Sequence, residues 1–192
     1  LGFGFRCGFL GLLHMDIVQE RLEREYEINL LATSPSVAYR VVLTDGSIQE
    51  VENPSKLPPP QRIEEIQEPW LDLSIITPAG YIGSVIELLR DRRGEHKRME
   101  YLQHDGSTNG GDAASSARVL LEYSVPLSEV LVNFYDLLKA KTQGYGSMDY
   151  SLADYRSGKL VRLDILVNEE PVDALSVILH RDRAYQHGRE LV

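Results

Sequence analysis

The feature that most constrains the fold is a unit of strand, turn and helix that occurs twice. In the first copy Leu71, Leu73 and Ile75 alternate with Asp72 and Ser74, the period of a strand with one buried face. Thr77-Pro78 supplies a predicted N-cap with proline at the first helical position, and Tyr81, Val85, Leu88 and Leu89 form the apolar stripe of the helix that follows. Gly94 is placed to end that helix in the left-handed conformation, and a short strand over 97–103 comes next. In the second copy Val119, Leu121, Tyr123 and Val125 alternate with Leu120, Glu122 and Ser124. A helix over 127–140 then sets Val130, Phe134, Leu137 and Leu138 on one face before Gly144, and a last strand passes through Met148 and Tyr150. The order β-α-β, loop, β-α-β is the split unit whose two helices pack on one side of a four-stranded antiparallel sheet, a ferredoxin-like sandwich. The polar stretch 105–112 between the halves has too little apolar surface to order itself and reads as a mobile hairpin tip without chemistry.

The flanks carry partial versions of the same α+β pattern. Leu10, Leu13, Ile17, Val18, Leu22 and Tyr26 recur at helical spacing, with Asp16, Glu20, Glu23 and Arg24 on the other side. Strands are expected over 28–33, 37–43 and 47–51, the last two joined by a tight turn at Asp45-Gly46. Residues 53–60, with four prolines, cannot sustain a helix or donate ladder hydrogen bonds. A strand over 159–167, a turn at 168–171 and a helix with Val172, Leu175 and Leu179 close the chain. The expected organisation is α+β throughout: a partial sandwich over 1–52, a proline-rich linker over 53–67, a complete ferredoxin-like domain over 68–156, and a truncated third module over 157–192. The chain opens at Leu1 without an initiator methionine and stops in a segment that reads as helical, so both ends are expected to be cuts through a longer protein.

Composition narrows the function. The chain has 43% hydrophobic and 26% charged residues, an ordinary globular balance, and contains no apolar run near the ~20 residues a membrane-spanning helix needs. Cys7 stands alone, which excludes an internal disulfide. Net charge is -9, from 20 Lys plus Arg against 29 Asp plus Glu, so any contact with nucleic acid must be local. Gly2-Phe3-Gly4-Phe5-Arg6-Cys7-Gly8 has its third glycine one residue too late for a dinucleotide fingerprint, and no phosphate-loop motif occurs. His180-Arg181-Asp182 lacks the downstream Asn of a kinase catalytic loop. His14, His96, His104, His180 and His187 show no metal-ligand spacing. An isolated enzyme therefore lacks a nucleophile with a recognisable base.

The candidate site residues are cations and aromatics at element ends. Arg90, Arg92, Arg93, Lys97 and Arg98 put five cations into nine residues at the end of a helix. One or two would satisfy the helix dipole, at about 0.3–1 kcal/mol each, so the excess in an acidic chain points to phosphate. Lys139 and Lys141, with Tyr145 and Tyr150 beyond the Gly144 turn, combine phosphate donors with planes on which an unpaired base could stack; they read equally as a solvated turn over core tyrosines. His180, Arg181, Arg183, His187 and Arg189 make the last helix locally basic, either as an RNA-facing surface or as a solvated face.

The stretch Leu1-Gly2-Phe3-Gly4-Phe5-Arg6-Cys7-Gly8-Phe9-Leu10-Gly11-Leu12-Leu13-His14-Met15, with Glu20-Arg21-Leu22-Glu23-Arg24-Glu25-Tyr26 behind it, resembles the third domain of the LepA family of translational GTPases, also called elongation factor four. Pro54-Ser55-Lys56-Leu57-Pro58, Gly144-Tyr145-Gly146-Ser147-Met148-Asp149-Tyr150, Val172-Asp173-Ala174-Leu175 and His180-Arg181-Asp182 are similar to the same family in the same order. Thr77-Pro78, Tyr81-Ile82-Gly83 and Arg92-Arg93-Gly94 are similar to the fifth domain of elongation factor G, while the polar stretch 104–117 is longer than the hairpin usual in the family.

The resemblance implies partners rather than a reaction: the ribosome, through ribosomal RNA and proteins, and transfer RNA, in the service of back-translocation during protein synthesis. It implies no active site, no cofactor and no small-molecule substrate for this chain, with GTP and Mg²⁺ belonging to the parent protein. The implied location is the cytoplasm; a peripheral membrane association suggested for the family finds no amphipathic anchor here. The competing reading is a small-molecule regulatory module, a role ferredoxin-like domains also take, which requires a concave site with converging polar groups.

Overall fold

The computed structural model describes residues 7–9, 12–30, 37–102, 117–172 and 175–191. The chain separates into two compact units, 1–35 and 36–192. In the first, helix α1 (Leu12–Tyr26) forms where a helix is expected, with Leu13, Ile17 and Tyr26 of its apolar stripe exposed and Leu10 outside the described residues, and it carries the i,i+4 pairs Arg21 with Glu25 and Arg24 with Glu20. Glu27, at φ 54°, ends it. The strand expected over 28–33 is not found at residues 28–30, which have no ladder partner among the described residues; 31–33 lie outside them.

The second unit is built on one long strand. β1 (Tyr39–Leu43) and β2 (Ile48–Val51) form the expected hairpin, with Gly46 at φ 81° in its turn. Pro54–Lys56 and Pro60–Arg62 make two short 3-10 turns, the first capped by the Asn53 side chain accepting from Ser55 N. β3 (Ile63–Pro78) then runs for 16 residues. Residues 63–67, counted in the linker from the sequence, are strand because Ile66 is buried and pairs with Val41. Pro69, which cannot donate to a ladder, sits where the register slips.

The second half of β3 holds the ferredoxin-like sheet. Helix α2 (Ile82–Asp91) leads to β4 (Glu95–Leu102), and β5 (Arg118–Pro126) leads through α3 (Leu127–Val130) and α4 (Phe134–Lys141) to β6 (Ser147–Ser157). The strand order is β6-β3-β5-β4, all antiparallel. Leu73, Ile75, Val85, Leu88, Leu89, Val119, Leu121, Val125, Phe134 and Leu138 form its core. The predicted helix 127–140 is broken by Asn133 at φ 59°, which rotates the second piece so that Phe134 and Leu138 are fully buried while Leu137 is 36% exposed. Thr77 does not cap α2: it stays in β3 opposite Val119, and a 3-10 turn over Ala79–Tyr81 intervenes. The stretch 105–112 lies outside the described residues.

A second core gathers Val37, Tyr39, Val41, Leu43, Val51 and Ile66 with Leu160 and Ile178. β7 (Leu160–Leu163) pairs antiparallel with β10 (Val177–His180), and β8 (Leu166–Val167) and β9 (Glu170–Pro171) form a hairpin turned by Asn168 and Glu169, both at positive φ. The helix expected through Val172, Leu175 and Leu179 gives way to strand at 177–180, because Ile178 buries against the β1 side and the backbone finds a ladder in β7. Helix α5 (Arg181–Leu191) begins only after it.

Candidate nucleic-acid interface

Arg93, rather than Gly94, takes the left-handed residue that ends α2, at φ 56°. Gly94 is needed for a different reason: a Cβ there would stand 2.8 Å from the Leu89 carbonyl oxygen. Arg93 turns inward. Its Nη1 and Nη2 donate to Glu68 Oε1 and Oε2 at 2.6 and 2.9 Å, and its Nε donates to Glu129 Oε1 at 2.9 Å. Glu68 is 1% exposed and Glu129 7%. Burial works against the Arg93 charge, but the hydrogen bonds to Glu68 and Glu129 outweigh it and hold the guanidinium above its ordinary pKa. Arg183 from α5 reaches Glu129 Oε2 at 3.0 Å, and Arg92 donates to the Glu129 carbonyl at 3.4 Å. Three predicted phosphate ligands, Arg92, Arg93 and Arg183, thus converge on one glutamate. For Arg93 the expectation of an outward-facing cation is corrected: the buried Glu68 carboxylate left without a counter-ion would cost more than any gain from a free guanidinium.

Lys97 and Arg98 lie along β4. Lys97 Nζ meets Asp72 Oδ1 and Arg98 meets Glu100, each at 2.5 Å. The Lys97 hydrogen bond, followed by that of Ser124, holds the Asp72 carboxyl below its ordinary value. These pairs are half-exposed, worth about 0–1 kcal/mol, so both cations can exchange a carboxylate for a phosphate at little cost. Arg90 is exposed and has no ion pair among the described residues.

At the end of α4, Gln143 and Gly144 are both left-handed, and Thr142 Oγ1 accepts from Gly146 N at 2.8 Å while donating to the Leu138 carbonyl at 2.7 Å. This locked turn presents Tyr145, 67% exposed, in a near-parallel stack on Tyr81 with centroids 6.3 Å apart. Lys139 donates to the Gly144 carbonyl at 3.2 Å and lies over the Tyr135 ring; Lys141 pairs with Glu87 at 3.2 Å.

Beside Tyr145 lies a recess of about 100 Å³ lined by Ile76, Thr77, Pro78, Arg118, Tyr145 and Ser147. Among the described residues the exposed Arg118 has no ion pair and the buried Thr77 hydroxyl has no hydrogen-bond partner. Sequence reasoning missed Arg118. It joins Tyr145 only through the pairing of Pro78 with Arg118 and of Ile76 with Ser147 on the two flanks of β3. The recess is well below the ~300 Å³ of an ordinary small-molecule pocket, so it does not favour the regulatory-module reading.

On α5, His180 Nδ1 is 3.6 Å from Asp182, whereas Arg181 and Arg189 are exposed with no ion pair among the described residues. The candidates therefore sort into an internal knot around Glu129 and Glu68, a paired group on β4 and α4, and outward cations on separate elements. Among the described residues no group of three or more His, Cys, Asp or Glu could hold a metal, and no helix is long and apolar enough to cross a membrane.

Residues 65–166 match the family model of the elongation factor G C-terminus. The whole chain is 53% identical, over 191 residues, to elongation factor 4 of Sorangium cellulosum. It is 53% identical over 192 residues to that of Synechococcus elongatus and 51% over 191 residues to that of Chlorobium phaeobacteroides. It spans 30% of the length of each of these curated relatives. A crystal structure from Thermus thermophilus is similar over 48% of this chain and 12% of its own, with 27% identity and a TM-score of 0.38.

Proposed function

The chain belongs to the elongation factor G C-terminus family, and within it to the elongation factor 4 (LepA) group; from that premise we propose that it docks a translational GTPase on the ribosome. The observation that carries this reading is the set of exposed Arg90, Arg181 and Arg189, which have no carboxylate partner among the described residues although the chain bears a net charge of -9. Cations left free on an acidic body favour a local phosphate partner over general adhesion to nucleic acid. Tyr145 adds an aromatic plane, and Lys97, Arg98, Lys139 and Lys141 add cations held by exchangeable contacts. Arg93 serves instead to hold the surface in shape, with Arg92 and Arg183 beside it.

On this reading the partners are ribosomal RNA and transfer RNA, the setting is the cytoplasm, and the task is back-translocation. GTP and Mg²⁺ act elsewhere in the parent protein. The test is cosedimentation of the chain with ribosomes over a range of salt. Arg90→Glu combined with Arg181→Glu should weaken association and flatten its salt dependence, by about one counterion for each phosphate no longer neutralised. Association unchanged in strength and slope would remove these residues from the interface, and no association by the unaltered chain would overturn the reading.

A further inference from the structure

We propose that the recess between Arg118 and Tyr145 is a site for one unpaired RNA nucleotide, its phosphate held by the Arg118 guanidinium and its base stacked on the Tyr145 ring. This rests on the docking reading above and gives it a particular site.

Three observations point to the same ligand. The recess, at about 100 Å³, suits a phosphate or sugar group and is too small for a whole nucleoside, so a base would have to lie outside it. Tyr145 offers the plane for that base: it is 67% exposed, and Tyr81 stacks on it at 21° to hold the ring in one orientation. Arg118, in the same wall, carries five N–H donors and has no carboxylate among the described residues to compete with phosphate.

The surroundings keep the site in shape. Ala79 N donates to the Ala117 carbonyl at 2.8 Å, tying the turn before α2 to the residue before Arg118. The Thr142 hydroxyl clamps the turn from which Tyr145 projects. Double-stranded RNA does not fit, because its bases are already stacked and cannot reach the tyrosine face.

The test measures binding of a fluorescent single-stranded oligouridylate, and of a duplex of the same length, to the intact chain. The single strand should bind more tightly than the duplex. Tyr145→Ala should weaken single-strand binding about tenfold while Tyr145→Phe retains it. Arg118→Ala should weaken it and lower the logarithmic salt slope by about 0.7. Both side chains are exposed, so melting temperatures should stay unchanged. Equal affinity for duplex, no effect of either alanine variant, or no binding by the unaltered chain would overturn the proposal. If the chain still cosediments with ribosomes in any of those cases, the docking reading stands and only this site falls.

Discussion

Arg93 and Glu68 meet through two parallel hydrogen bonds of 2.6 and 2.9 Å, joining the residue that ends α2 to the middle of β3 across 25 positions of sequence. Glu68 is buried, and Gly158 is held so close that an added Cβ would lie 2.9 Å from Glu68 Oε1. Holding Arg93 left-handed costs about 1–2 kcal/mol, which the paired charges must offset.

Removing the guanidinium strands Glu68, buried and with no other ion pair among the described residues, while Glu129 keeps Arg183. Arg93→Ala should therefore destabilise the chain by about 3–5 kcal/mol, read as a lower midpoint in urea. The double variant Glu68→Gln with Arg93→Met, which removes both charges of the pair, should recover part of that loss. Equal destabilisation by the single and double variants would show that lost packing, not the uncompensated charge, dominates.

Tyr39 connects the second core to β10 by donating its hydroxyl to the Ile178 carbonyl at 2.9 Å. Burial, reinforced by the nearby Glu68 charge, pushes its pKa well above the ordinary 10.0. The sign follows directly: the folded chain keeps the proton that the unfolded chain releases. The contribution is complete below pH 10.0 and is lost as pH rises beyond it. Tyr39→Phe should cost about 1 kcal/mol at neutral pH and make the fall in stability above pH 10.0 shallower. Parallel alkaline melting curves for both chains would refute the linkage.

Gly94→Ala separates two reasons for a glycine. If the helix end needed positive φ at residue 94, alanine would cost about 1 kcal/mol. The Leu89 carbonyl at 2.8 Å from the added Cβ is backbone and cannot swing away, so the expected loss is about 1–3 kcal/mol, with the α2–β4 turn displaced. Chemical-shift changes confined to residue 94 and its direct neighbours would argue against that displacement.

Much of the ferredoxin-like domain was legible because its signals are local. The alternation at Leu71, Leu73 and Ile75 and at Val119, Leu121 and Tyr123 is the sheet's own period, and one face of each strand is buried as that period demands. What failed depended on partners distant in sequence. Val172, Leu175 and Leu179 are spaced like a helix, yet β7 supplies a ladder that local spacing cannot announce. Glu68 looks like one more carboxylate in an acidic stretch until β3 is registered against β6 and the turn after α2. The same limit governed the site. Clustering in sequence suggested Arg92 and Arg93 as a phosphate grip, whereas the fold turns them toward Glu129. Arg118, isolated in sequence, is brought beside Tyr145 by strand pairing.

Thr77 separates stability from binding. Its side chain is fully buried in β3 opposite Val119, and its hydroxyl oxygen has no partner among the described residues, an arrangement that costs about 1–3 kcal/mol. Valine has nearly the same shape without the hydroxyl. Thr77→Val should therefore raise stability by about 1 kcal/mol, seen as a higher urea midpoint with an unchanged slope. The hydroxyl is sealed from solvent on the core face, so the same variant should bind single-stranded oligouridylate as the parent does. A variant that is less stable than the parent would show instead that the hydroxyl is satisfied in solution, and the expected gain would be lost.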